Sequence, residues 1–259
     1  MRRTRSRKSP VRHNVKSHTR EGKPVLSYVR GSGTKKTLPR RRSKVIQVGR
    51  AGSTGASTIV DYLKMVNKVR GKSLHRDFQH SPEGFLLKYG YPMIRGTPLT
   101  EPEIKTLAED VSTLVDPTVK NCFYNAMQLA LYCPPDEYVY VEGYVYSPRS
   151  IPLQHGWVID KKGRVIDVTL SKEVLSRDKF TRLMRGEKIP SFRPEDNILG
   201  EVPNEWEYFG VPIKTKYLRA QVLKHGHSPP LIDYTHEFDI LKLSDPMVRK
   251  NVVKRNWVG

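Results

Sequence analysis

The spacing of hydrophobic residues first predicts two helices that follow a long polar start. Between residues 57 and 70, apolar side chains recur at helical spacing, and Ser57 or Thr58 is suited to cap the start. A second helix is predicted over residues 101–115, where Thr100 is suited to the N-cap position. The stretch between the two helices is rich in proline and glycine, which is typical of loops.

From Asn121 to Thr169 the pattern predicts one helix followed by three strands. The helix opens on Cys122, and its buried positions are expected at Phe123, Met127, Leu129, Ala130 and Leu131. Strict alternation over residues 138–147 then predicts a strand, with tyrosines on one face and valines on the other. Two further strands carry His155 and Asp167.

The last two of these strands are predicted to form a hairpin with a defined register. A three-residue loop that ends in Gly163 is a favoured form, because its last position needs a left-handed backbone. In that register Trp157 faces Asp167, and His155 faces Thr169. His155, Trp157 and Asp167 then share one face, with Asp167 diagonal to His155. A loop of two or four residues would invert this arrangement.

The rest of the chain is predicted with less detail. Residues 171–187 resemble a helix whose inner face holds Phe180, Leu183 and Met184, together with Val174 and Leu175. Residues 207–215 are predicted as an edge strand interrupted by Pro212. A short helix follows over residues 216–224. The expected divisions are a flexible arm (1–56), a helical lead-in (57–115), a core (116–225) and a C-terminal extension (226–259).

Charge separates the arm from everything that follows it. The chain has 259 residues and a formal net charge of +20. Residues 1–50 hold 17 Lys or Arg against the single acidic residue Glu21, whereas the remaining residues hold 29 basic and 25 acidic side chains. Such a polar segment buries too little surface to order itself, so we expect a disordered basic arm. It is either a solvated tail or an anchor that binds nucleic acid through its phosphates.

Composition also limits the cellular setting and the cofactors. Two cysteines, Cys122 and Cys133, argue against a disulfide framework and fit a reducing compartment. The sequence contains no apolar run long enough to span a membrane, and the basic N-terminus lacks the apolar segment of a secretory signal. We therefore expect a cytoplasmic or virion-associated protein without membrane contact. The pattern calls for neither a metal nor a cofactor.

Cys122 is the residue with the clearest candidate chemistry. At the start of a helix, free backbone amides and the helix dipole favour a thiolate and can receive an oxyanion. The simpler alternative is a small buried apolar residue, which is the usual role of a free cysteine. His155 and Asp167 favour catalysis, because an acid that orients an imidazole beside a thiol is the pattern of nucleophilic catalysis.

The tyrosine face of the first strand gives a second hypothesis. Glu142 and Tyr144, with Trp157 on the next strand, are possible lining residues of a substrate cleft. A sheet face covered by a loop is an equally good interpretation.

These residues carry a resemblance to a known superfamily. The motifs N-C-F-Y-N-A, Y-V-E-G-Y, H-G-W, V-I-D-V-T and Y-F-G-V-P-I, over about residues 115–220, resemble papain-like cysteine hydrolases, in particular phage-encoded members related to bacterial cell-wall endopeptidases. The resemblance implies an α+β fold whose core packs a cysteine-bearing helix on an antiparallel sheet. It implies Cys122 as nucleophile, His155 as general base and Asp167 as its orienter. Many such enzymes place a glutamine shortly before the cysteine. In this sequence Asn121 directly precedes the cysteine and is the oxyanion candidate.

The arm from Val15 to Gly33 is similar to a short segment of proteins from tailed phages and related archaeal elements.

Three functions remain open from the sequence. The first is a thiol hydrolase that cleaves an amide or isopeptide bond in a protein or peptide-like substrate, or transfers the acyl group to an amine. The second is a catalytically inactive, nucleic-acid-associated or virion structural protein with the same core. The third is a protease that its arm tethers to a nucleoprotein.

Overall fold

The computed structural model divides the chain into two compact units, Met1–Gly52 and Ser53–Gly259. In the first unit the structure describes only backbone. In the second it describes residues 57–70, 78–93, 96–134, 137–148, 150–173, 177–228, 230–232 and 239–254.

The first unit contains short strands where the sequence predicted disorder. Strand β1 (His13–Val15) pairs with β4 (Tyr28–Arg30), and β2 (His18–Arg20) pairs with β3 (Lys23–Val25), both antiparallel. The expectation of a disordered arm is therefore wrong for these twelve residues, because their backbone groups pair across two small ladders. The other residues of the arm lie outside the described part of the chain, as does the predicted joint at residues 51–56.

The second unit is α+β, with seven α-helices and an open antiparallel sheet of six strands among its described residues. The strands lie in the order β5-β10-β6-β7-β8-β9. Their bounds are β5 Tyr91–Pro92, β6 Tyr138–Tyr146, β7 Leu153–Asp160, β8 Val165–Ser171, β9 Asn197–Gly200 and β10 Glu207–Ile213. The helices are α1 Thr58–Arg70, α2 Pro82–Tyr89, α3 Glu101–Asp110, α4 Cys122–Tyr132, α5 Arg177–Met184, α6 Thr215–His225 and α7 Asp245–Asn251.

Two layers of apolar side chains lie on the two faces of this sheet. One face packs against helices, and its core includes Met127 and Leu129 of α4 with Tyr140 and Val211 of the sheet. The other face holds a smaller cluster around Trp157, with strand valines and isoleucines. Alternation along each strand explains the division, because successive side chains point to opposite faces.

The helix starts follow their sequence signals. Thr100 and Glu103 form a reciprocal capping box at the start of α3, and a π-helical turn (Val111–Val115) continues that helix. At the start of α1 the Ser57 hydroxyl accepts from the Val60 amide, as an N-cap residue does. The amides of Thr58 and Ile59 instead donate to the carboxylate of Glu207, at 3.0 and 3.3 Å.

Two sequence predictions need correction. The helix expected over residues 171–187 is shorter, because β8 continues through Ser171 and α5 covers only Arg177–Met184. Its supposed inner face is exposed at Phe180 (54%) and Met184 (67%), while Val174 and Leu175 lie outside the described residues.

The strand predicted at an edge is also different. β10 lies between β5 and β6, and β5 pairs only with its Phe209 and Gly210. Pro212 is tolerated because it lies beyond the end of β5.

The C-terminal residues belong to the same core as the helices and the sheet. A 3₁₀ turn (Asp239–Lys242) and α7 contribute the buried side chains Ile240, Leu241 and Val248 to the helix-bearing face. Residues of α1 and α2, within the predicted lead-in, join that cluster too. None of the helices in the described part of the chain combines the length and the apolar character that crossing a bilayer requires.

Candidate functional site

The start of α4 rests directly on strand β7, at a glycine. A Cβ added to Gly156 would lie 3.1 Å from the Phe123 Cα and 3.4 Å from the Phe123 nitrogen. A larger residue would therefore push the first turn of α4 away from the strand. The Gly156 position brings Cys122, the first residue of the helix, next to His155 on the strand beneath it.

Cys122 is a free thiol in a partly exposed position. The first amides of a helix have no acceptor within that helix, so they face outward beside the thiol. The Asn121 side chain donates from Nδ2 to Thr118 Oγ1 at 2.6 Å. Asn121 is exposed, and its second Nδ2 hydrogen remains for another acceptor.

The hairpin that carries His155 and Asp167 has the register that the sequence predicts. Val158 pairs with Ile166 and Ile159 with Val165, while Gly163 has the required left-handed φ of 73°. Pairing between β7 and β8 is confined to these residues, although β7 extends back to Leu153 and β8 forward to Ser171. The strands therefore separate beyond Val158, and the His155 and Asp167 side chains join them across the gap.

His155 and Asp167 form a short hydrogen bond in a buried environment. His155 Nε2 donates to Asp167 Oδ2 at 2.6 Å, and the two side chains are 7% and 0% exposed. Since Nε2 is engaged by the carboxylate, Nδ1 is the imidazole nitrogen left for the Cys122 thiol. The Cys122 thiol lies close enough to His155 to contribute to the raised pKa of the imidazole.

The surroundings of the pair favour its charged form. Burial alone would lower the pKa of His155, but the charge and hydrogen bond of Asp167, and then the Cys122 thiol, raise it to about 10. Burial would raise the pKa of Asp167, but His155 and the amides of Leu170 and Thr169 hold it below its ordinary value. His155 is therefore an imidazolium at neutral pH, which is suited to stabilise a neighbouring thiolate.

Two residues that support the site were not singled out from the sequence. Tyr208 on β10 donates its hydroxyl to Asp167 Oδ2 at 2.9 Å. Asn125, one turn after Cys122, donates from Nδ2 to the Thr118 carbonyl and to Thr169 Oγ1 on β8, both at 2.9 Å. Asn125 thus ties the cysteine-bearing helix to the strand of Asp167. Its place one turn after the cysteine was the signal that could have identified it.

The residues proposed to line a cleft are enclosed instead. Glu142, Tyr144 and Trp157 are 0%, 8% and 1% exposed. The Glu142 carboxylate accepts hydrogen bonds from the Leu231 and Ile232 amides and from the Tyr140 hydroxyl. The cleft hypothesis is therefore wrong for these three side chains. The 230–232 segment covers Glu142, whereas Trp157 is enclosed in the cluster on the other face of the sheet.

The second cysteine lies at the opposite end of α4 and in a different environment. Cys133 is buried, and burial, followed by the charges of Asp110 and Glu137, raises its pKa to about 12. It stays a neutral thiol at physiological pH and serves as an internal control for Cys122. Within the described residues, no group of three or more His, Cys, Asp or Glu side chains is arranged to hold a metal ion.

The chain was compared with protein-family models, with curated proteins and with solved structures, and none of the three comparisons produced a match. The functional argument therefore rests on the geometry and chemistry of the site.

Proposed function

We propose that the protein is a papain-like thiol hydrolase that cleaves an amide or isopeptide bond through an acyl-enzyme on Cys122. The observation that supports this most strongly is the convergence of Cys122, His155 and Asp167 from one helix and two strands. His155 is hydrogen-bonded to Asp167 and lies beside the Cys122 thiol. The residues have complementary chemical roles, since the thiolate of Cys122 is the nucleophile and the oriented imidazole of His155 moves the proton. A helix start that rests on an antiparallel sheet beside a histidine supports a papain-like core.

The roles of the three residues follow from their contacts. The Cys122 thiolate attacks the carbonyl carbon, and the carbonyl electron pair moves to oxygen. The His155 imidazolium gives its Nδ1 proton to the leaving nitrogen as the C–N bond breaks and a thioester remains. Water then attacks the thioester, His155 takes a proton from that water, and the C–S bond breaks to restore the thiolate. Asp167 holds the imidazole through Nε2 in every step.

An amine could replace water in the second half of this reaction, which would make the protein an acyltransferase. Both outcomes pass through the same acyl-enzyme, so one experiment tests the part that they share.

The test is acylation by an activated ester, p-nitrophenyl acetate, followed by intact-protein mass spectrometry. We expect one nitrophenolate released per protein in a rapid phase, with a single acetyl group on Cys122. Cys122→Ala should abolish the rapid phase, and His155→Ala should slow it strongly. Cys133→Ala is the matched control and should acylate like the unmodified sequence. Acetylation that is independent of Cys122, or that falls on Cys133, would refute the proposal.

A second role rests on the charge of residues 1–50, with 17 basic side chains and one acidic side chain. We propose that this arm binds nucleic acid through phosphate contacts without sequence preference. The two roles are compatible, and an arm that bound nucleic acid would hold the enzyme near a nucleoprotein substrate.

A further inference from the structure

The direction of α4 along the sheet identifies the residues that lie in front of its cysteine. Phe123 in the first turn sits over Gly156 of β7. At the other end, Cys133 lies in the same buried cluster as Tyr138, and Tyr138 pairs with Asp160 at the end of β7. The helix therefore runs along β7 in the same direction as the strand. The strand residues before Gly156 lie beyond the helix start, on the side to which the free amides point.

Gln154 is the polar residue at that place. Side chains alternate along a strand, so Gln154 lies on the same face of β7 as Gly156, which is the face on which α4 rests. Residues two apart on a strand are about 7 Å from each other, so the long Gln154 side chain begins within reach of the first turn of α4. Gln154 is exposed, as a side chain that meets a substrate must be.

The Gln154 amide is held in a fixed orientation by the 230–232 segment. Its Nε2 donates to the Ile232 carbonyl at 2.9 Å. That segment is fixed in turn, because the amides of Leu231 and Ile232 donate to the buried Glu142 carboxylate at 2.7 and 2.8 Å. One hydrogen of the Gln154 amide is used by Ile232, and the second remains for another acceptor.

We infer that the Gln154 side-chain amide is the second oxyanion donor of this site, acting with the backbone N–H of Cys122. The inference rests on the proposed hydrolase function. When the Cys122 sulfur attacks a carbonyl, negative charge develops on the carbonyl oxygen, and donors already in place stabilise it most. Glu142 is then a positioning residue, since it holds the segment that orients Gln154.

Two reactions of the same thiol distinguish this role from a structural one. Acylation by p-nitrophenyl acetate passes through a tetrahedral oxyanion, whereas alkylation by iodoacetamide is a direct displacement at carbon and develops no such charge. For Gln154→Ala we expect an acylation rate constant lower by about 10²–10³-fold and an unchanged alkylation rate constant. Gln154→Glu, which keeps the length but cannot donate when ionised, should lose acylation to at least the same extent.

Gln128→Ala is the matched control. Gln128 is a glutamine of α4 whose Nε2 donates to Ser228 Oγ at 3.4 Å. Its loss should leave both rate constants unchanged if the effect belongs to Gln154 itself. Thermal unfolding of each variant shows whether the fold is retained.

The outcomes separate this inference from the proposed function. If both Gln154 variants acylate like the unmodified protein while Cys122 acylation still requires His155, Gln154 only anchors the segment and the hydrolase proposal stands. If Gln154→Ala slows acylation and alkylation equally, the Gln154 side chain affects the reactivity of the thiolate itself, and the oxyanion role is wrong. If the unmodified protein itself does not acylate at Cys122, both proposals fail together.

Discussion

At the scale of single residues, Asp167 explains how a buried charge is maintained beside the thiol. Its carboxylate accepts from His155, from the Tyr208 hydroxyl and from the backbone amides of Thr169 and Leu170. A buried carboxylate with a full set of donors stays ionised, and an ionised Asp167 keeps His155 protonated. The histidine then faces the thiol as an imidazolium.

This pair predicts a specific dependence of stability on pH. The pKa of His155 is raised from 6.5 to about 10, so its contribution is complete below pH 6.5 and is lost as the pH rises toward 10. The pKa of Asp167 is lowered, so its contribution is present above its unfolded value of 3.8 and is lost as the pH falls below that value. The prediction concerns the difference in the free energy of unfolding between the unmodified protein and His155→Gln, measured in urea. This difference should be largest near pH 5–6 and should shrink steadily as the pH rises from 6.5 to 10.

His80 provides the matched control. Burial, followed by the charge of Lys88, lowers its pKa, so its contribution is complete above pH 6.5 and is lost as the pH falls below that value. The stability difference for His80→Gln should thus be flat between pH 6.5 and 10. A flat difference for His155→Gln over the same interval would contradict the proposed charge state of the pair.

At the scale of elements, the contact between α4 and β7 determines where the cysteine lies. Gly156 allows the helix start to approach the strand, and Asn125 links the helix to Thr169 on β8. Both contacts act on the position of the helix and not on the chemistry of the thiol.

Gly156→Ala should therefore impair catalysis more than it impairs folding. The added Cβ would meet the Phe123 ring at 3.0 Å and its Cα at 3.1 Å, so the helix start must move. We expect a loss of about 1–3 kcal/mol of stability and a fall of about 3–10-fold in Cys122 acylation. The helix start must give by a few tenths of an ångström, and a full displacement of about 1 Å costs about 10²-fold. Urea unfolding and ester acylation measure the two effects.

Gly186→Ala is a control for the loss of stability alone. Gly186 has a φ of +81° and no neighbouring atom within 4 Å of an added Cβ, so the change costs about 1–2 kcal/mol through backbone strain. Its acylation rate should be unchanged. Equal acylation losses in the two variants would show that activity follows stability and not the position of the helix.

The local elements of the site could be predicted from the sequence, because their signals are local. Helical periodicity located α4, and Gly163 gave the register that places His155 and Asp167 on one face. The contacts that complete the site could not be predicted, since they join distant residues: Tyr208 reaches Asp167 across 41 positions, and Leu231 reaches Glu142 across 89.

The dependence on contacts between distant residues also explains why the sequence predictions for β6 and α5 were wrong. Alternation in β6 indicated a polar face, which usually meets solvent, but a distant segment covers Glu142. In α5 the periodicity indicated an inner face, yet the structure leaves Phe180 and Met184 exposed. Periodicity describes one element and carries no information about which other element covers it.

At the scale of the whole molecule, positive charge and candidate chemistry lie in different parts of the chain. Residues 1–50 carry most of the formal charge of +20, whereas Cys122, His155 and Asp167 lie in the Ser53–Gly259 unit. The proposed binding through the arm and the proposed catalysis by Cys122 are therefore separable by deletion.

Deletion of residues 1–50 should abolish salt-dependent DNA binding and leave ester acylation unchanged. Each phosphate that a basic side chain neutralises adds about 0.9 to the slope of log affinity against log salt concentration. Fluorescence anisotropy with a labelled duplex at several salt concentrations measures that slope, and scrambled duplexes should bind equally. Retention of the full slope after deletion would show that the arm is not the contact.

The most direct test of the central claim is iodoacetamide alkylation of the folded protein at neutral pH, with each thiol identified by peptide mass spectrometry. Because a thiolate beside an imidazolium is the reactive form of a cysteine, we predict that Cys122 is alkylated much faster than Cys133. This reactivity should weaken in His155→Ala and vanish in Cys122→Ala, while Cys133 stays unreactive. Alkylation of Cys122 that proceeds at the same rate with and without His155 would contradict the account.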